Sequence, residues 1–316
     1  MTAAFVDHFS YALGNETRSV EETYRLDGIT STPAALISAG FRQHHVCRPG
    51  TTAYDLARAA VELIRLHLDD VGAIIYATCL PENGTIGDVA TFAATRDVKH
   101  LMDFPASHLQ SEFGLQHAAV IGLNQQACTG MLGSLRIARA LLTSEPDLQR
   151  VLCVTADRFP DNALYEQTYN LISDGAAACI VSRHGGRFRI LATHALTNGA
   201  LATASDDETA GTFFSYAHRA ITSVLQRACL SAEDIRWVVP QNMNVKAWQI
   251  LARLLRIPEE RICFPTMPDV GHVISGDNVI NLCRLIDQDA IQSGDRLLLF
   301  MAGYGLNWQC VILEQV

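Results

Sequence analysis

Short apolar runs of strand length alternate with longer segments of helical periodicity along this chain of 316 residues. In the first half, helical spacing is found over residues 52–68, 104–113 (opened by Pro105) and 130–142, and strand-length apolar runs over 71–77, 118–123, 151–155 and 176–182. Strands that are apolar along their whole length are typical of a sheet covered by helices. The alternation therefore predicts an α/β fold on a mostly parallel sheet.

The second half of the chain repeats this order of elements. Helical spacing over residues 213–228, 245–255 and 279–286 alternates with apolar runs over 237–240, 296–301 and 308–313. The polar run 204–211 is predicted to be a loop. The repeat predicts a pseudo-duplicated fold, with one half over residues 1–183 and the other over 184–316.

Composition and charge exclude several classes of protein. With 49% hydrophobic and 18% charged residues, the chain can bury a large core, and disorder is not expected. No apolar run approaches the roughly 20 residues of a membrane-spanning helix, and the N-terminal segment lacks the features of a secretory signal. The net charge of −9 argues against a nucleic-acid surface. We therefore expect a cytoplasmic globular protein.

Nine cysteines are scattered along the chain without a Cys-x-x-Cys pair. This pattern predicts neither a disulfide framework nor a zinc knuckle. Most of them lie in apolar runs, as Cys153 and Cys179 do, and are expected to be small core residues. The adjacent His44 and His45 lack further ligands at a suitable spacing and are expected to lie in a loop rather than at a metal site.

Cys128 differs from the other cysteines because it lies between a predicted strand and a predicted helix, in the segment NQQACTG. A thiol reacts as the thiolate, and the N–H groups and dipole of a helix N-terminus favour that charge. The backbone N–H of Cys128 could also contribute to an oxyanion hole, and Thr129 and Gly130 allow close approach of a thioester. Most isolated cysteines in apolar chains are structural, so a buried thiol and a nucleophile both remain open.

His272 follows a glycine and lies just before a predicted helix, in the segment DVGHVISGDN. This is a favourable place for an exposed general base, although a turn or cap histidine fits the same context. Asp277 could orient the imidazole, or it could be a solvated carboxylate that complements the helix dipole, which is the interpretation we favour from sequence.

The glycine-containing segment AGYGLNW, residues 302–308, separates the last two predicted strands. Glycines in such a loop allow backbone N–H groups to approach a ligand. A simple hairpin turn fits the same residues, so this segment alone is weak evidence for a ligand-binding loop.

These stretches together resemble the β-ketoacyl-acyl carrier protein synthase III group of the thiolase superfamily. The resemblance covers nearly the whole chain, and its motifs occur in the family's order. DFPASHLQSEFGL is similar to the family's FPS-A helix, NQQACTGMLGSLRIA to its nucleophile motif and SDGAAACIV to its GDGA turn. VVPQNMNVKAWQILARLLRIPEERI is similar to the PHQAN segment, VGHVISGDNVINL to the GN turn and AGYGLNWQCVIL to the GxGxTW strand pair.

The resemblance implies a thiolase-like fold of two βαβαβαββ halves with stacked mixed sheets in a five-layer αβαβα arrangement, usually as a homodimer. It implies that Cys128 takes an acyl group from a coenzyme A or carrier-protein thioester and passes it to a small-molecule acceptor. The oxyanion hole would use the N–H groups of Cys128 and Gly305. No metal or cofactor is implied, because the coenzyme A or phosphopantetheine thioester is a substrate.

The chain departs from the family at two positions of the implied site. The PHQAN histidine aligns with Gln241 and the GN asparagine with His272, whereas Asn244 matches the last asparagine of PHQAN. Decarboxylative condensation needs two hydrogen-bond donors on the enolate oxygen, whereas acyl transfer to a ready nucleophile needs a base and an oxyanion hole. Gln241 cannot act as a general acid but can donate an N–H, so condensation stays open.

The exchanged residues are similar to those of family members outside fatty-acid elongation, and predict an acyltransferase or condensing enzyme of specialised metabolism, such as antibiotic assembly. His44 replaces the arginine of the family's GIxxR stretch, and TPAALISAG lacks the tryptophan that stacks on coenzyme A, which favours a carrier-protein donor. The alternatives are a non-catalytic partner subunit in a heterodimer, a decarboxylating 3-oxoacyl synthase III and a thioester hydrolase.

Overall fold

A computed structural model describes residues 3–84, 86–167, 170–304 and 306–316, without the side chains of residues 206–208 and 210. The strands of the first half are β1 (Phe5–Leu13), β2 (Glu16–Ser19), β3 (Gln43–Val46), β4 (Val71–Ala77), β5 (Ala119–Leu123), β6 (Arg150–Asp157), β7 (Glu166–Gln167), β8 (Asn170–Leu171) and β9 (Gly175–Ser182). Its helices are α1 (Val20–Arg25), α2 (Pro33–Ala39), α3 (Ala53–Glu62), α4 (Val89–Thr95), α5 (Pro105–Glu112) and α6 (Gly130–Ser144). The second half contains β10 (Phe188–Thr197), α7 (Asp206–Ala228), β11 (Trp237–Val239), α8 (Val245–Leu255), α9 (Met267–Val270), α10 (Asp277–Asp287), β12 (Arg296–Gly303) and β13 (Asn307–Gln315).

The large sheet has the strand order β11-β12-β13-β10-β1-β9-β6-β4-β5. Two residue pairs join β1 to β10, and this short contact is the junction between the sheet of one half and the sheet of the other. In the first half, β5, β4 and β6 are parallel, and β9 and β1 continue antiparallel. In the second half, β11 and β12 are parallel, and β13 and β10 continue antiparallel. The shared order confirms the pseudo-duplication, while the division after residue 183 remains a prediction.

Helices cover the two sheets in three layers. Helices α3 and α5 pack on the outer face of the first sheet, and α7 and α8 pack on the outer face of the second. Helices α6 and α10 lie between the sheets, where they join residues of both sheets in one apolar cluster. This is the five-layer αβαβα arrangement expected of a thiolase-like fold.

The two central helices differ in what they bury. Helix α6 packs closely because of its glycines, since a Cβ on Gly130 would lie 2.9 Å from that of Ala77. Helix α10 instead buries three polar residues in its first turns, Asp277, Asn278 and Asn281. The amide nitrogen of Asn278 donates to the carbonyl of Val239 at 2.8 Å, so this buried donor is matched by a hydrogen bond.

Several sequence predictions need correction. The bounds of β4 and α8 are confirmed, but the sheet is mixed and not mostly parallel, because β1, β9, β10 and β13 run antiparallel to their neighbours. The predicted loop 204–211 is wrong from residue 206 onward, where α7 begins. Polar, acidic sequence suits the first turn of a helix as well as a loop. His44 and His45 lie in β3 and not in a loop.

Among the described residues, no helix combines the length and apolar character that crossing a membrane requires.

Candidate active site

A cavity of about 230 Å³ lies beside the turn that carries Cys128. Cys128, Gln241 and His272 all line it, although they come from separate loops. The Cys128 turn precedes α6 and the His272 loop precedes α10, which are equivalent positions in the two halves. The pseudo-duplication thus brings the two loops to one place. Apolar side chains form much of the remaining wall, including Phe213, Phe214, Met243 and Leu306.

Cys128 lies in a short 3₁₀ turn, Ala127–Thr129, and is 5% exposed. The pKa of its thiol is raised, first because the Cys79 thiol hydrogen-bonds to it and then because it is buried, with the charges of Asp157 and Asp277 acting in the same direction. These contacts oppose the effect that the helix N-terminus has on the thiolate. A thiol in this setting needs a base to become a nucleophile.

His272 is 3% exposed and not the exposed histidine that its glycine neighbour suggested. Its Nδ1 lies 2.5 Å from Oδ2 of Asp277, which is fully buried in the first turn of α10. The backbone N–H groups of Val273 and Asn242 donate to the same carboxylate, each at 2.7 Å. The Asp277 carboxylate is an acceptor for a hydrogen on Nδ1, and in the tautomer that carries its hydrogen on Nδ1 the Nε2 atom is an acceptor. The interpretation of Asp277 as a solvated carboxylate is wrong.

Gln241 is held in one orientation by its side-chain oxygen. Its Oε1 accepts a hydrogen bond from the N–H of Ala302 at 3.0 Å, so Nε2 carries the amide hydrogens on the other side. That nitrogen lies 3.4 Å from Nε2 of His272. Trp248 donates to the backbone carbonyl of Gln241 at 2.9 Å and fixes the loop. The amide can donate to a bound oxygen, but it cannot take up a proton at neutral pH.

Asn244 lines the cavity and also begins α8, where its Oδ1 accepts from the N–H of Lys246 at 3.0 Å. Gly305 lies outside the residues that the structure describes, so its part in an oxyanion hole remains a prediction. Gly303 contacts the Cys128 turn directly, since a Cβ there would lie 2.8 Å from the backbone nitrogen of Cys128.

Cys79 and Asp157 are neighbours of Cys128 that the sequence did not indicate. The carboxylate of Asp157 accepts from the hydroxyl of Thr78 at 2.7 Å and from the N–H groups of Cys79 and Leu80 at 2.9 and 3.0 Å. Burial raises the pKa of Asp157 to about 6 in spite of these hydrogen bonds. Cys79 lies two residues after the apolar strand β4, and the sequence around it contains no motif that distinguishes it from the other cysteines.

His44 is fully buried, and both of its ring nitrogens have protein partners. Nδ1 donates to the carbonyl of Ile172 at 2.6 Å, and Nε2 lies 2.7 Å from the hydroxyl of Thr23. Burial lowers the pKa of His44 from 6.5 to about 4. Across the described parts of the chain, no three His, Cys, Asp or Glu side chains are grouped so that they could hold a metal ion.

We expect His44 to make the free energy of unfolding depend on pH between 6.5 and 4. In this interval the unfolded chain protonates His44 and the folded protein does not, so acid removes about 3 kcal/mol of stability. The raised pKa of Asp157 acts in the opposite direction over a similar interval, because the folded state takes up that proton first. The effect of His44 is therefore measured as the stability difference between the wild type and His44→Gln.

Denaturant unfolding at pH 7, 6, 5 and 4 should show this difference shrinking by about 3 kcal/mol toward acid. The exposed His184 provides the matched variant His184→Gln, whose difference from the wild type should stay constant. If the stability difference between the wild type and His44→Gln is also independent of pH, the lowered pKa of His44 is contradicted.

Two family models match the chain. 3-Oxoacyl-[acyl-carrier-protein] synthase III matches residues 124–199, which include the Cys128 turn, and 3-oxoacyl-[acyl-carrier-protein] synthase III C terminal matches residues 225–315, which include Gln241 and His272. Together they cover more than half of the chain.

Relatives named β-ketoacyl-[acyl-carrier-protein] synthase III match this chain over most of their length. β-Ketoacyl-[acyl-carrier-protein] synthase III of Chlamydia caviae is 25% identical over 91% of this chain and 90% of its own length. The protein of that name from Aquifex aeolicus is 25% identical over 94% of this chain and 96% of its own length.

Solved structures share the fold. The acyltransferase ChlB3 has a TM-score of 0.84 at 20% identity, covering 99% of this chain and 98% of that one. The synthase III of Aquifex aeolicus has a TM-score of 0.77 at 20% identity, covering 98% and 99%. OleA of Xanthomonas campestris with bound cerulenin has a TM-score of 0.79 at 15% identity, covering 98% and 96%. At these identities the likeness concerns the fold.

Proposed function

The chain belongs to the 3-oxoacyl-[acyl-carrier-protein] synthase III family of acyl-transferring enzymes, and we propose that it loads an acyl group onto Cys128 and transfers it to a second substrate. The observation that carries this proposal is the arrangement of His272, which Asp277 holds at 2.5 Å with Nε2 as an acceptor in the same cavity as Cys128. A nucleophile, a base and an orienting carboxylate are the three groups that covalent acyl transfer requires.

In the loading step, Nε2 of His272 takes the proton of the Cys128 thiol, and the sulfur attacks the carbonyl carbon of the donor thioester. The amide of Gln241 and the N–H of Cys128 donate to the oxyanion that forms. The carbon–sulfur bond of the donor then breaks, and the imidazolium returns its proton to the departing coenzyme A or phosphopantetheine thiolate. The products are acyl-Cys128, a free donor thiol and neutral His272.

In the transfer step, the same nitrogen removes a proton from the acceptor as the acceptor attacks the acyl thioester. An acceptor with a hydroxyl or amine group suits this base. Decarboxylative condensation is less suited, because neutral His272 offers an acceptor where the enolate oxygen needs a donor, and Gln241 alone supplies one. A decarboxylating synthase would require a protonated His272 and remains the alternative reaction.

We place this acyltransferase in specialised metabolism, with a carrier-bound donor preferred over coenzyme A. Gln241 and His272 exchange the amide and imidazole positions of the family's elongating members, and His44 is buried on Thr23 and Ile172 and unable to contact a donor. The apolar wall around Phe213 and Phe214 suits an apolar acyl group or acceptor.

We further propose a homodimer assembled through β5, with a heterodimer as the alternative. Within the described residues β5 pairs on one side, with β4, and its other edge is free to add a strand. Val120 on this strand is 40% exposed, and the nearby Met102 and Phe104 are 48% and 55% exposed.

A panel of acyl donors tests the reaction. Acetyl, malonyl and octanoyl groups are offered as coenzyme A thioesters and as carrier-protein thioesters, and intact mass measures the acyl adduct. We expect adducts that form faster from carrier donors, and products of O- or N-acylation without carbon dioxide release when alcohols and amines are supplied. Free acid as the sole product would indicate a hydrolase, carbon dioxide release with chain extension would indicate a decarboxylating synthase, and no adduct from any donor would favour a non-catalytic subunit.

A further inference from the structure

The turn that presents Cys128 has an unusual backbone. Ala127, the residue before the nucleophile, has φ +43°, a left-handed conformation that residues with a Cβ rarely adopt. Such a conformation persists when surrounding contacts determine it, and it is concentrated at functional sites. The contacts that hold this turn therefore bear on where the Cys128 thiol lies.

Gln309 on β13 makes the main side-chain contacts to this turn. It is 3% exposed, and its Nε2 donates to Oε1 of Gln126 at 2.6 Å and to the hydroxyl of Thr129 at 3.0 Å. The Thr129 hydroxyl in turn donates to the carbonyl of Gln126 at 2.7 Å. Both hydrogens of one amide nitrogen thus tie together the residues before and after Ala127 and Cys128.

The space for this bridge is built into α6. A Cβ on Gly133 would lie 1.9 Å from Oε1 of Gln126 and 3.2 Å from Nε2 of Gln309. Any other residue at this position would displace the Gln126 side chain. The bridge is therefore a packed part of the interface between the two halves and not a surface contact.

Ser275 supports the same turn from a second direction. Its hydroxyl donates to the carbonyl of Ala127 at 3.0 Å and accepts from the N–H of Gly130 at 3.2 Å. Ser275 is three residues from His272, so this contact links the turn of the nucleophile to the loop of the base. Side chains of the second half thus hydrogen-bond to Ala127 and Thr129 within the turn, and to Gln126 and Gly130 on either side of it.

We propose that Gln309 is a positioning residue for the nucleophile: through Gln126 and Thr129 it holds the Ala127–Thr129 turn so that the Cys128 thiol faces His272 in the cavity. The inference rests on the proposed function of Cys128 and extends it to a residue outside the reacting groups. It requires the amide and not merely a side chain of this size, because only a nitrogen with two hydrogens satisfies both acceptors.

The test compares Gln309→Met, which keeps the length of the side chain and removes both donors, with Cys310→Ala. Cys310 is the next residue on β13, is 1% exposed and packs in the apolar cluster of the second half away from Cys128, so its truncation lowers stability without touching the turn. For each variant the stability, the rate of acyl loading from the best donor and the rate of Cys128 alkylation by iodoacetamide are measured, the last by peptide mapping.

Gln309→Met is expected to lower the maximal rate of acyl loading roughly 10- to 100-fold with little change in the KM for the donor, and to slow alkylation of Cys128 in parallel. Cys310→Ala should keep wild-type rates at a comparable or lower stability. Where Gln309→Met does not fold, Gln126→Met removes one of the two hydrogen bonds of Gln309 and should lower both rates in the same direction, by a smaller factor.

Wild-type rates in Gln309→Met, or equal losses in Gln309→Met and Cys310→Ala, would overturn the proposal. The rates of acyl loading and of Cys128 alkylation distinguish a failure of this proposal from a failure of the proposed function. If no donor loads the wild type, acyl transfer fails, whereas the alkylation rates still decide whether Gln309 positions the thiol.

Discussion

Replacement of Cys128 by alanine is expected to abolish acyl loading, with a fall in turnover of at least roughly 10⁴-fold. In the proposed reaction the acyl group is bound covalently to this sulfur, and Cys128 is the only cysteine among the described residues that line the cavity. The substitution removes one buried sulfur from a small turn, so the fold should persist. Intact mass after incubation with the donor measures loading, and peptide mapping assigns the adduct.

Cys229 supplies the matched control, because it is an exposed cysteine remote in sequence from the site. Cys229→Ala should load to the same stoichiometry as the wild type. Loading of Cys128→Ala at wild-type stoichiometry, with the adduct mapped to another residue, would refute Cys128 as the acyl carrier.

Replacement of His272 by alanine is expected to slow loading by about 10²- to 10⁴-fold. The hydrogen bond with Cys79 and burial raise the pKa of the Cys128 thiol, so without an internal base the thiolate forms from hydroxide alone. The rate of His272→Ala should therefore rise about tenfold per pH unit through neutrality, whereas the wild type should vary less. Single-turnover loading from pH 6 to 9 measures both quantities.

Asp277→Asn separates the orienting group from the base, since it keeps the size of the side chain and alters the contact with Nδ1 of His272. We expect a loss smaller than or equal to that of His272→Ala. His117→Ala removes an exposed histidine and should leave the rate unchanged. A His272→Ala variant that loads at the wild-type rate with a wild-type pH profile would exclude His272 as the base.

Local patterns predicted much of the fold because a strand or a helix is encoded over a few adjacent residues. The buried strand β4 and the amphipathic helix α8 have the bounds that their periodicities indicate. Strands β1 and β10 were not predicted, since each mixes polar and apolar residues and is only partly buried along its length. The sheet is mixed because β9 and β13 run antiparallel to β6 and β12, and β1 and β10 extend this antiparallel part; strand pairing is a property of segments that are distant in sequence.

In the candidate site, too, some features follow from local sequence and others from contacts between distant segments. The local sequence was sufficient to single out Cys128 and His272 as candidate chemical groups, and the resemblance to the synthase III family added Gln241. Whether Asp277 is solvated or paired depends on its burial, and the direction of the Gln241 amide depends on one backbone N–H from β12. Neither property can be predicted from the residues that are adjacent in sequence.

The helices and strands of strong periodicity, their duplicated order and the candidate residues Cys128 and His272 were all predictable from the amino-acid sequence. The surroundings of these residues come from the tertiary structure, in which the pKa of the Cys128 thiol is raised, Asp277 orients His272 and Gln309 contacts the residues on either side of Cys128. These two kinds of property differ in the distance along the chain over which they are encoded. Periodicity is local, whereas desolvation, hydrogen-bond direction and the packing of α6 against β13 arise only when the two halves close on each other.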